Sequence, residues 1–386
     1  MVEPIRAGDI DLVDLDTVME LAAHRAPTCV SLFLPTHSAG PETQQDPIRL
    51  KNLLRDAEEA LQSQHGVPRR DTAELLGPAA ALVDDRGFWQ HQSQGLALYL
   101  APGTCRTLRV PLALQERWHV GTAFRLRPVL RLLSGDGRFY VLALSQNEVR
   151  LFVGTRMTMA ELSLGSIPPD MATALAHEDP EAQLQVRAGG QAGMFHGHGE
   201  GAEVDKQTLE RFFRAVDRGL RDRLPPDRHP LLLASVTYYL PIFQSVSSFG
   251  GIVDDCLAGN PEDRPVRDLH AEAWDIVGPQ FAAARHDAEG RLQAAIGGGH
   301  AAVGVADVVA STLAGRVATL FLADDEPCWG RTTGSGGVEV HDRVEPGDED
   351  LLEKAAVAVL SANGEVYLDG VDTVPAGARA AALLRW

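Results

Sequence analysis

The middle of the chain reads Leu209-Glu-Arg-Phe-Phe-Arg-Ala-Val-Asp-Arg-Gly-Leu-Arg-Asp-Arg-Leu224 and continues through Pro225 and Pro226 to Leu231-Leu-Leu-Ala-Ser-Val236. Apolar residues recur in the first part every three or four positions, as they do on one face of an α-helix. Two successive prolines cannot continue that helix. The apolar run after them predicts a buried strand. A helix that leads directly into a buried strand indicates a mixed α/β fold.

Further predicted elements on both sides extend this α/β pattern. Upstream, Phe139–Leu144 and Glu148–Val153 flank Ser145-Gln-Asn147, which predicts a strand hairpin. Nearer the start of the chain, Cys29–Leu34 predicts a strand, and Asp46-Pro47 predicts a helix start with a capping side chain. The last region alternates helical and strand-like segments, which are Phe281–Ala295, Val305–Ala314, Val317–Leu322, Asp350–Ser361, Glu365–Leu368 and Ala376–Leu384.

Length and two breaks in the pattern divide the chain into three predicted domains. The chain has 386 residues, and one domain usually takes about 100–200. A new region begins near Leu133, and Gly259–Pro265 has the composition of a linker or long loop. Gly334–Asp350 is rich in glycine and then acidic, which predicts a mobile surface loop. We therefore predict an N-terminal α/β domain at 1–132, a middle domain at 133–278 and a C-terminal α/β domain at 279–386.

The composition excludes several classes of protein. A net charge of −18 argues against bulk attraction to nucleic acid or to anionic membranes, so any RNA contact must use a local basic patch. The four cysteines have no zinc-ligand spacing and predict reduced, buried thiols. The first residues lack a secretion signal, and the most apolar stretch is too short to cross a bilayer. We expect a cytoplasmic protein with no membrane partner.

A glycine-rich loop is the main candidate for chemistry. It reads Arg187-Ala-Gly-Gly-Gln-Ala-Gly-Met-Phe-His-Gly-His-Gly199. Gly189 and Gly190 permit backbone angles closed to other residues and let the chain approach a ligand. Gln191 can hold a water through its neutral amide but is not basic enough to deprotonate it. Such a loop would act by positioning and by N–H stabilisation of developing charge. Alternatively, a chain with 37 glycines can contain this triplet by chance.

The predicted helix after this loop carries a stripe of arginines. Arg211, Arg214, Arg218 and Arg221 are spaced by three, four and three residues, which places them on one face. The stripe is a candidate RNA-binding surface because guanidinium groups bind phosphates. The alternative is an ordinary surface in which Glu210, Asp217 and Asp222 neutralise the arginines as ion pairs.

Two further motifs have weaker functional interpretations. His196 and His198 form the only candidate metal pair, with His177 or Glu200 as further ligands, but a complete site needs three or four. An exposed turn or a contact with phosphate is the favoured interpretation, and no cofactor is expected. Gly297-Gly-Gly299 formally fits a dinucleotide pattern, but it follows a predicted helix rather than a strand, which favours a helix-ending turn.

Three segments together resemble a known superfamily. They are Val30-Ser-Leu-Phe-Leu-Pro-Thr-His37 with Gly40-Pro-Glu-Thr-Gln-Gln-Asp-Pro-Ile-Arg-Leu-Lys-Asn-Leu-Leu54, the Gly189–Gly199 loop, and Phe212-Phe-Arg-Ala-Val-Asp217. They are similar to bacterial homologues of the archaeal and eukaryotic peptide-chain release factors and of Pelota. The resemblance implies a three-domain release-factor/Pelota-like architecture whose C-terminal domain is like the kink-turn-binding ribosomal proteins. It also implies a catalytic role in peptidyl-tRNA hydrolysis for Gly189, Gly190 and Gln191.

The resemblance leads to one principal hypothesis about function. It implies a ribosome-associated factor, like those of rescue and hibernation, that binds near the A site of stalled or idle ribosomes during stress. The expected partners are the ribosome, ribosomal RNA, tRNA and a translational GTPase. Enzymatic activity stays open, because the acidic Glu200, Glu203 and Asp205 favour a version that only binds. No Asn-Ile-Lys-Ser sequence is present, so stop-codon reading is not expected. The alternative is a metal- or small-molecule-binding stress protein that no longer binds ribosomes.

Overall fold

The structure is a computed structural model that describes residues 13–38, 40–135, 138–156, 158–178, 205–224, 229–262, 264–324, 326–333, 337–345, 347–370 and 373–386. The chain divides into two compact units. Unit 1 comprises Met1–Arg138, Thr155–Thr158 and Gly278–Trp386, and unit 2 comprises Phe139–Gly154 and Met159–Val277.

Helices occur in both units. They are α1 (Leu15–Ala23), α2 (Asp46–Ser63), α3 (Arg69–Val83), α4 (Arg86–Trp89), α5 (Arg127–Leu130), α6 (Met171–Glu178), α7 (Lys206–Arg223), α8 (Tyr239–Val246), α9 (Val266–Ala295), α10 (Val305–Leu313) and α11 (Leu351–Ser361). In the described part of the chain, no helix combines the length and the apolar content needed to cross a bilayer.

The strands form several separate sheets. They are β1 (Cys29–Pro35), β2 (Gly95–Ala101), β3 (Thr104–Val110), β4 (Arg117–Gly121), β5 (Phe139–Leu144), β6 (Val149–Gly154), β7 (Met159–Leu162), β8 (Leu231–Ser235), β9 (Ile252–Ala258), β10 (Ala301–Val303), β11 (Val317–Ala323), β12 (Trp329–Thr332), β13 (Val338–Val340), β14 (Glu349–Asp350), β15 (Glu365–Asp369) and β16 (Ala380–Leu384).

The N-terminal part of unit 1 is an antiparallel sheet with the order β3-β2-β1-β4. Alternate residues of a strand point to opposite faces, and here both faces are buried. Leu32 and Leu98 pack with α2 and α3 on one face. Phe33 and Tyr99 belong to a second core on the other face.

That second core is shared with the C-terminal part of unit 1. The C-terminal sheet has the order β10-β16-β11-β15, with β11 and β15 parallel. Leu320, Val309 and Leu352, from β11, α10 and α11, lie in the same apolar cluster as Phe33 of the N-terminal sheet. The opposite face of the C-terminal sheet packs against the end of α9 through residues such as Leu292. The two ends of the chain therefore complete one core.

A buried arginine also joins the two ends of the chain. Arg127, on α5, donates from Nη1 to the main-chain oxygen of Glu326 at 2.8 Å and to Asp350 Oδ2 at 3.2 Å. It also donates to the main-chain oxygen of Ala323 and lies 3.3 Å from Asp324 Oδ1. A charged hydrogen-bond network of this kind fixes the relative position of its members, because leaving any of them unpaired in the interior is costly.

Unit 2 is built on a five-stranded sheet with the order β7-β6-β5-β8-β9. Strands β5, β8 and β9 are parallel, and β6 is antiparallel to both of its neighbours. Phe213 of α7 lies against the rings of Tyr239 and Phe243 in α8, at centroid distances of 5.2 and 5.8 Å. Aromatic contacts of this kind hold the two helices together.

Most of the predicted elements are present, and the mixed α/β fold class is confirmed. The Gly297–Gly299 turn ends α9, with φ values of 88° and 79° at Gly297 and Gly299. Unit 2 nearly coincides with the predicted middle domain, but the predicted 1–132 and 279–386 domains fall together in unit 1. The division into three domains stays a prediction.

Three local predictions need correction. Asp46 does not cap its own helix, because its 1% exposed carboxylate accepts hydrogen bonds from the main chain and ring of His37 at 2.8 and 2.9 Å. The Gly334–Asp350 segment contains the short strands β13 and β14, both paired with β12. Of the four free thiols, two are buried, Cys29 and Cys328, while the other two are half-buried; burial raises the pKa of each.

Candidate functional site

The candidate site lies at one end of the unit 2 sheet, where the central strands β5 and β8 reach their carboxyl ends. Their carboxyl ends adjoin because the two strands are parallel neighbours. From β5 the chain turns to β6 on one side, and from β8 it continues through α8 to β9 on the other. The order of strands therefore reverses between β5 and β8, and such switch points are where open α/β sheets bind ligands.

Gln146 joins the elements at this end of the sheet. Its side-chain Nε2 donates to Tyr239 Oη at 3.0 Å, which ties the end of β5 to the start of α8. Its main-chain oxygen accepts from the N–H of Met171 at 2.9 Å, at the start of α6. The hairpin residues 145–147 were predicted only as a turn, because their partners Tyr239 and Met171 are distant in sequence.

An acidic group lies at the same end of the sheet. Asn147 Nδ2 donates to Glu262 Oε1 at 3.2 Å. Hydrogen bonding from the Ser145 hydroxyl, followed by Asn147 and Asn260, lowers the pKa of Glu262. The carboxylate therefore stays ionised at neutral pH, and this part of the sheet end repels phosphate groups.

The loop after β8 exposes apolar groups. Tyr238 is 58% exposed and Val236 is 43% exposed, whereas the next residue, Tyr239, is buried. An exposed aromatic ring at a switch point is a natural contact for a flat ligand group, since it can stack at little entropic cost.

The glycine-rich loop is flanked by two helices of this unit. Helix α6 ends at Glu178 and α7 begins at Lys206, and the two helices pack together. The predicted catalytic residues Gly189, Gly190 and Gln191 and the predicted metal pair His196 and His198 lie outside the described residues. Their roles stay predictions. Within the described ranges, no group of three or more His, Cys, Asp or Glu side chains is placed to hold a metal ion.

The arginine stripe is present on the outer face of α7. The apolar positions of this helix are buried, and all four arginines, Arg211, Arg214, Arg218 and Arg221, are exposed. Arg214 Nη2 lies 3.2 Å from Glu210 Oε2, and Arg221 Nε lies 3.5 Å from Asp217 Oδ2. The solvent-accessible pair of Arg214 and Glu210 contributes only a few tenths of a kcal/mol, so a phosphate can displace Glu210.

Asp217 has a different role from the surface pairing considered for it. It is buried, and it accepts hydrogen bonds from Ser247 Oγ at 2.6 Å and from Ser248 N at 3.0 Å. Ser248 Oγ donates to its second oxygen at 3.1 Å. The carboxylate therefore anchors the turn after α8 to α7, and it is only secondarily a partner of Arg221.

Comparison with protein families identifies the region that contains this site. Residues 138–316 match the model of bacterial archaeo-eukaryotic release factor family 3. This region is release-factor-like. The matched range contains the Gly189–Gly199 loop and α7, whereas the N-terminal segments Val30–His37 and Gly40–Leu54 lie outside it. The resemblance proposed from the sequence is thus confirmed over this range.

Solved structures of related factors were also compared with the whole chain. The archaeal translation termination factor aRF1 aligns at 15% identity over 96% of this chain and 97% of its own, with a TM-score of 0.25. Archaeoglobus fulgidus Pelota aligns at 15% identity over 75% and 79%, with a TM-score of 0.24. Dom34 of S. cerevisiae aligns at 11% identity over 76% and 75%, with a TM-score of 0.35. A search of curated protein sequences gives no significant match.

Proposed function

We propose that this chain is a ribosome-associated factor that binds near the A site of stalled or idle ribosomes. The observation that carries the proposal is the family match over 138–316, together with the exposed arginines of α7 directly after the glycine-rich loop. The proposed partners are ribosomal RNA and tRNA, with a translational GTPase as a delivery factor.

The arginine stripe gives the proposed RNA contact its mechanism. The whole chain carries a charge of −18, so the attraction has to be local. Arginines that displace counterions from phosphates make binding fall with salt, by a slope of about 0.7–0.9 per phosphate in a log–log plot.

The first experiment measures cosedimentation with ribosomes across a salt series. In the double variant Arg211→Gln/Arg214→Gln, we expect weaker binding and a log–log salt slope reduced by about 1.4–1.8. The control is Arg69→Gln/Arg70→Gln, which makes the same charge change at two exposed arginines of α3. Equal loss in both variants, or no cosedimentation of the unaltered chain at low salt, would contradict the proposal.

The second experiment decides whether the factor hydrolyses peptidyl-tRNA or only binds the ribosome. In a catalytic version, Gln191 holds the water that attacks the peptidyl-tRNA ester, and Gln191→Ala abolishes peptide release while ribosome binding persists. In a version that only binds, both proteins bind and neither releases peptide. We favour the second version, because Glu200, Glu203 and Asp205 would be repelled by an RNA-lined centre. Metal in the purified protein that is lost in His196→Ala, without ribosome binding, would favour the metal-binding alternative.

A further inference from the structure

A second surface, in unit 1, has the composition of an RNA contact. At one end of the C-terminal sheet, the start of β10, the end of β16 and the start of β11 lie side by side. The N–H of Leu384 donates to the main-chain oxygen of His300 at 2.8 Å, and the N–H of Arg385 donates to that of Arg316 at 2.7 Å. Side chains that are far apart in sequence thereby form one surface, the C-terminal patch, which consists of His300, Arg316, Arg385 and Trp386.

The two arginines of the C-terminal patch are held by main-chain carbonyls and by the terminal carboxylate of Trp386. Arg385 donates from Nε to Val317 at 3.2 Å and from Nη2 to Ala362 at 2.6 Å. Arg316 donates from Nη2 to the terminal carboxylate of Trp386 at 3.1 Å. Among the described residues, no Asp or Glu side chain pairs with either guanidinium, in contrast to Arg214 and Arg221 of α7. Two guanidinium groups and one terminal carboxylate leave the patch with one net positive charge, on a protein that is acidic as a whole.

Apolar and glycine residues complete the surface. Trp386 is 62% exposed. Ile296, four residues before His300, is 40% exposed. Between Ile296 and His300, Gly297 and Gly299 have positive φ angles, and a Cβ added at either would meet nothing within 4 Å. A flexible polymer can approach such a turn closely, since no side chain stands in its way.

We propose that the C-terminal patch binds single-stranded RNA. The indole of Trp386 stacks on a base, and Arg316 and Arg385 bind the adjoining phosphates, which is the combination that single-strand binding surfaces use. An acidic peptide would match the charge, but its carboxylates do not stack on the exposed indole as a base does. The inference rests on the proposed ribosomal function and adds a second RNA contact in unit 1.

The test measures binding of a fluorescently labelled 12-nucleotide single-stranded RNA to the full chain by fluorescence anisotropy at low salt. We expect Trp386→Ala to raise the Kd about 10-fold, as for loss of one stacked base, and Trp386→Phe to restore most of the affinity. Arg316→Gln/Arg385→Gln should raise the Kd and reduce its log–log salt slope by about 1.4. The control Arg69→Gln/Arg70→Gln, with the same change of charge, should bind as the unaltered chain does.

Several outcomes would overturn the inference. One is an unchanged affinity for RNA in both Trp386→Ala and Arg316→Gln/Arg385→Gln. Another is tighter binding of a poly-glutamate peptide than of RNA. Loss of RNA binding only in Arg211→Gln/Arg214→Gln would place the RNA contact on α7 and not on the patch. Trp386→Ala removes an exposed side chain, so it tests the patch even if the arginine variants do not fold. Ribosome cosedimentation remains a separate measure of the proposed function.

Discussion

His119 and Trp329 stack at the junction between the N-terminal and C-terminal parts of unit 1. Their ring centroids are 5.9 Å apart and nearly parallel, and the Arg125 guanidinium lies 5.3 Å from the centroid of the Trp329 ring. Burial, reinforced by the positive charge of Arg125, lowers the pKa of His119 to about 4. The imidazole is therefore neutral in the folded protein over a pH range in which a free histidine is charged.

This lowered pKa predicts a pH dependence of stability. The unfolded chain binds the proton at its ordinary pKa of about 6.5, whereas the folded chain binds it only near pH 4. The free energy of unfolding should therefore fall as the pH drops from about 6.5 to 4, by up to about 3 kcal/mol from this residue. Urea denaturation of the wild type and of His119→Gln across this range measures the contribution. Parallel pH profiles for the two proteins would contradict it.

The hydrogen-bond partners of individual side chains were the hardest feature to predict from sequence. Asp46 precedes a proline at the start of α2, which matches a helix cap, yet its carboxylate binds His37, nine residues earlier. Asp217 has helical spacing from Arg221, yet its stronger partners are Ser247 and Ser248. In both cases a local pattern was correct for the backbone, while the side chain found a partner through tertiary contact.

At the scale of elements, α7 depends on one close approach. A Cβ added at Gly219 would lie 2.6 Å from Cα and 2.7 Å from N of Ile167. Glycine is needed here because the helix packs directly on another part of the backbone, which cannot move as a flexible side chain would. The arginine stripe keeps its position on unit 2 through this contact.

We predict that Gly219→Ala lowers the free energy of unfolding by about 1–3 kcal/mol, the usual cost of overpacking a core. The matched control is Gly290→Ala in α9, where a Cβ meets nothing within 4 Å. That substitution should be neutral or stabilising by up to about 1 kcal/mol, since alanine is the better helix former. Thermal unfolding of both variants provides the comparison, and equal effects would refute the packing argument.

Elements with a strong local pattern were predicted well. The apolar face of α7 follows from helical periodicity, because one side of the helix is buried. The β5–β6 hairpin follows from two short, mostly apolar runs on either side of a polar turn, because both of its strands are buried on both faces. Strand β9 was missed: it lies at the edge of its sheet, and exposed acidic residues such as Asp254 and Asp255 interrupt its apolar pattern. At the candidate site, the contact between Gln146 and Tyr239 has no local signal at all.

At the scale of the whole molecule, unit 1 is assembled from both ends of the chain. Phe33 and Tyr99 of the N-terminal sheet share a core with Leu320 and Leu352 of the C-terminal part. Arg127 adds the buried polar contacts across the same junction. No sequence pattern could predict this pairing, since the partners are separated by the whole of unit 2.

We predict that Arg127→Met lowers the free energy of unfolding by about 3 kcal/mol, because it withdraws charge from the buried Asp350 and donors from two carbonyls. Arg131→Met is the matched control: Arg131 also pairs with Asp324, but its side chain is 50% exposed, and the expected loss is below about 1 kcal/mol. Hydrogen exchange should show β1 and β11 losing protection together in Arg127→Met. Loss confined to one of the two strands would contradict a single shared core.

The shared core of unit 1 has a consequence for how the protein is made. When residues 1–138 have been synthesised, one face of their sheet still lacks the segments that cover it, which begin at Gly278. Roughly 250 residues remain to be translated, which at about 5–20 residues per second takes about 12–50 s. During that interval one apolar face of the nascent N-terminal sheet is exposed to solvent. We expect it to require a chaperone until synthesis is complete.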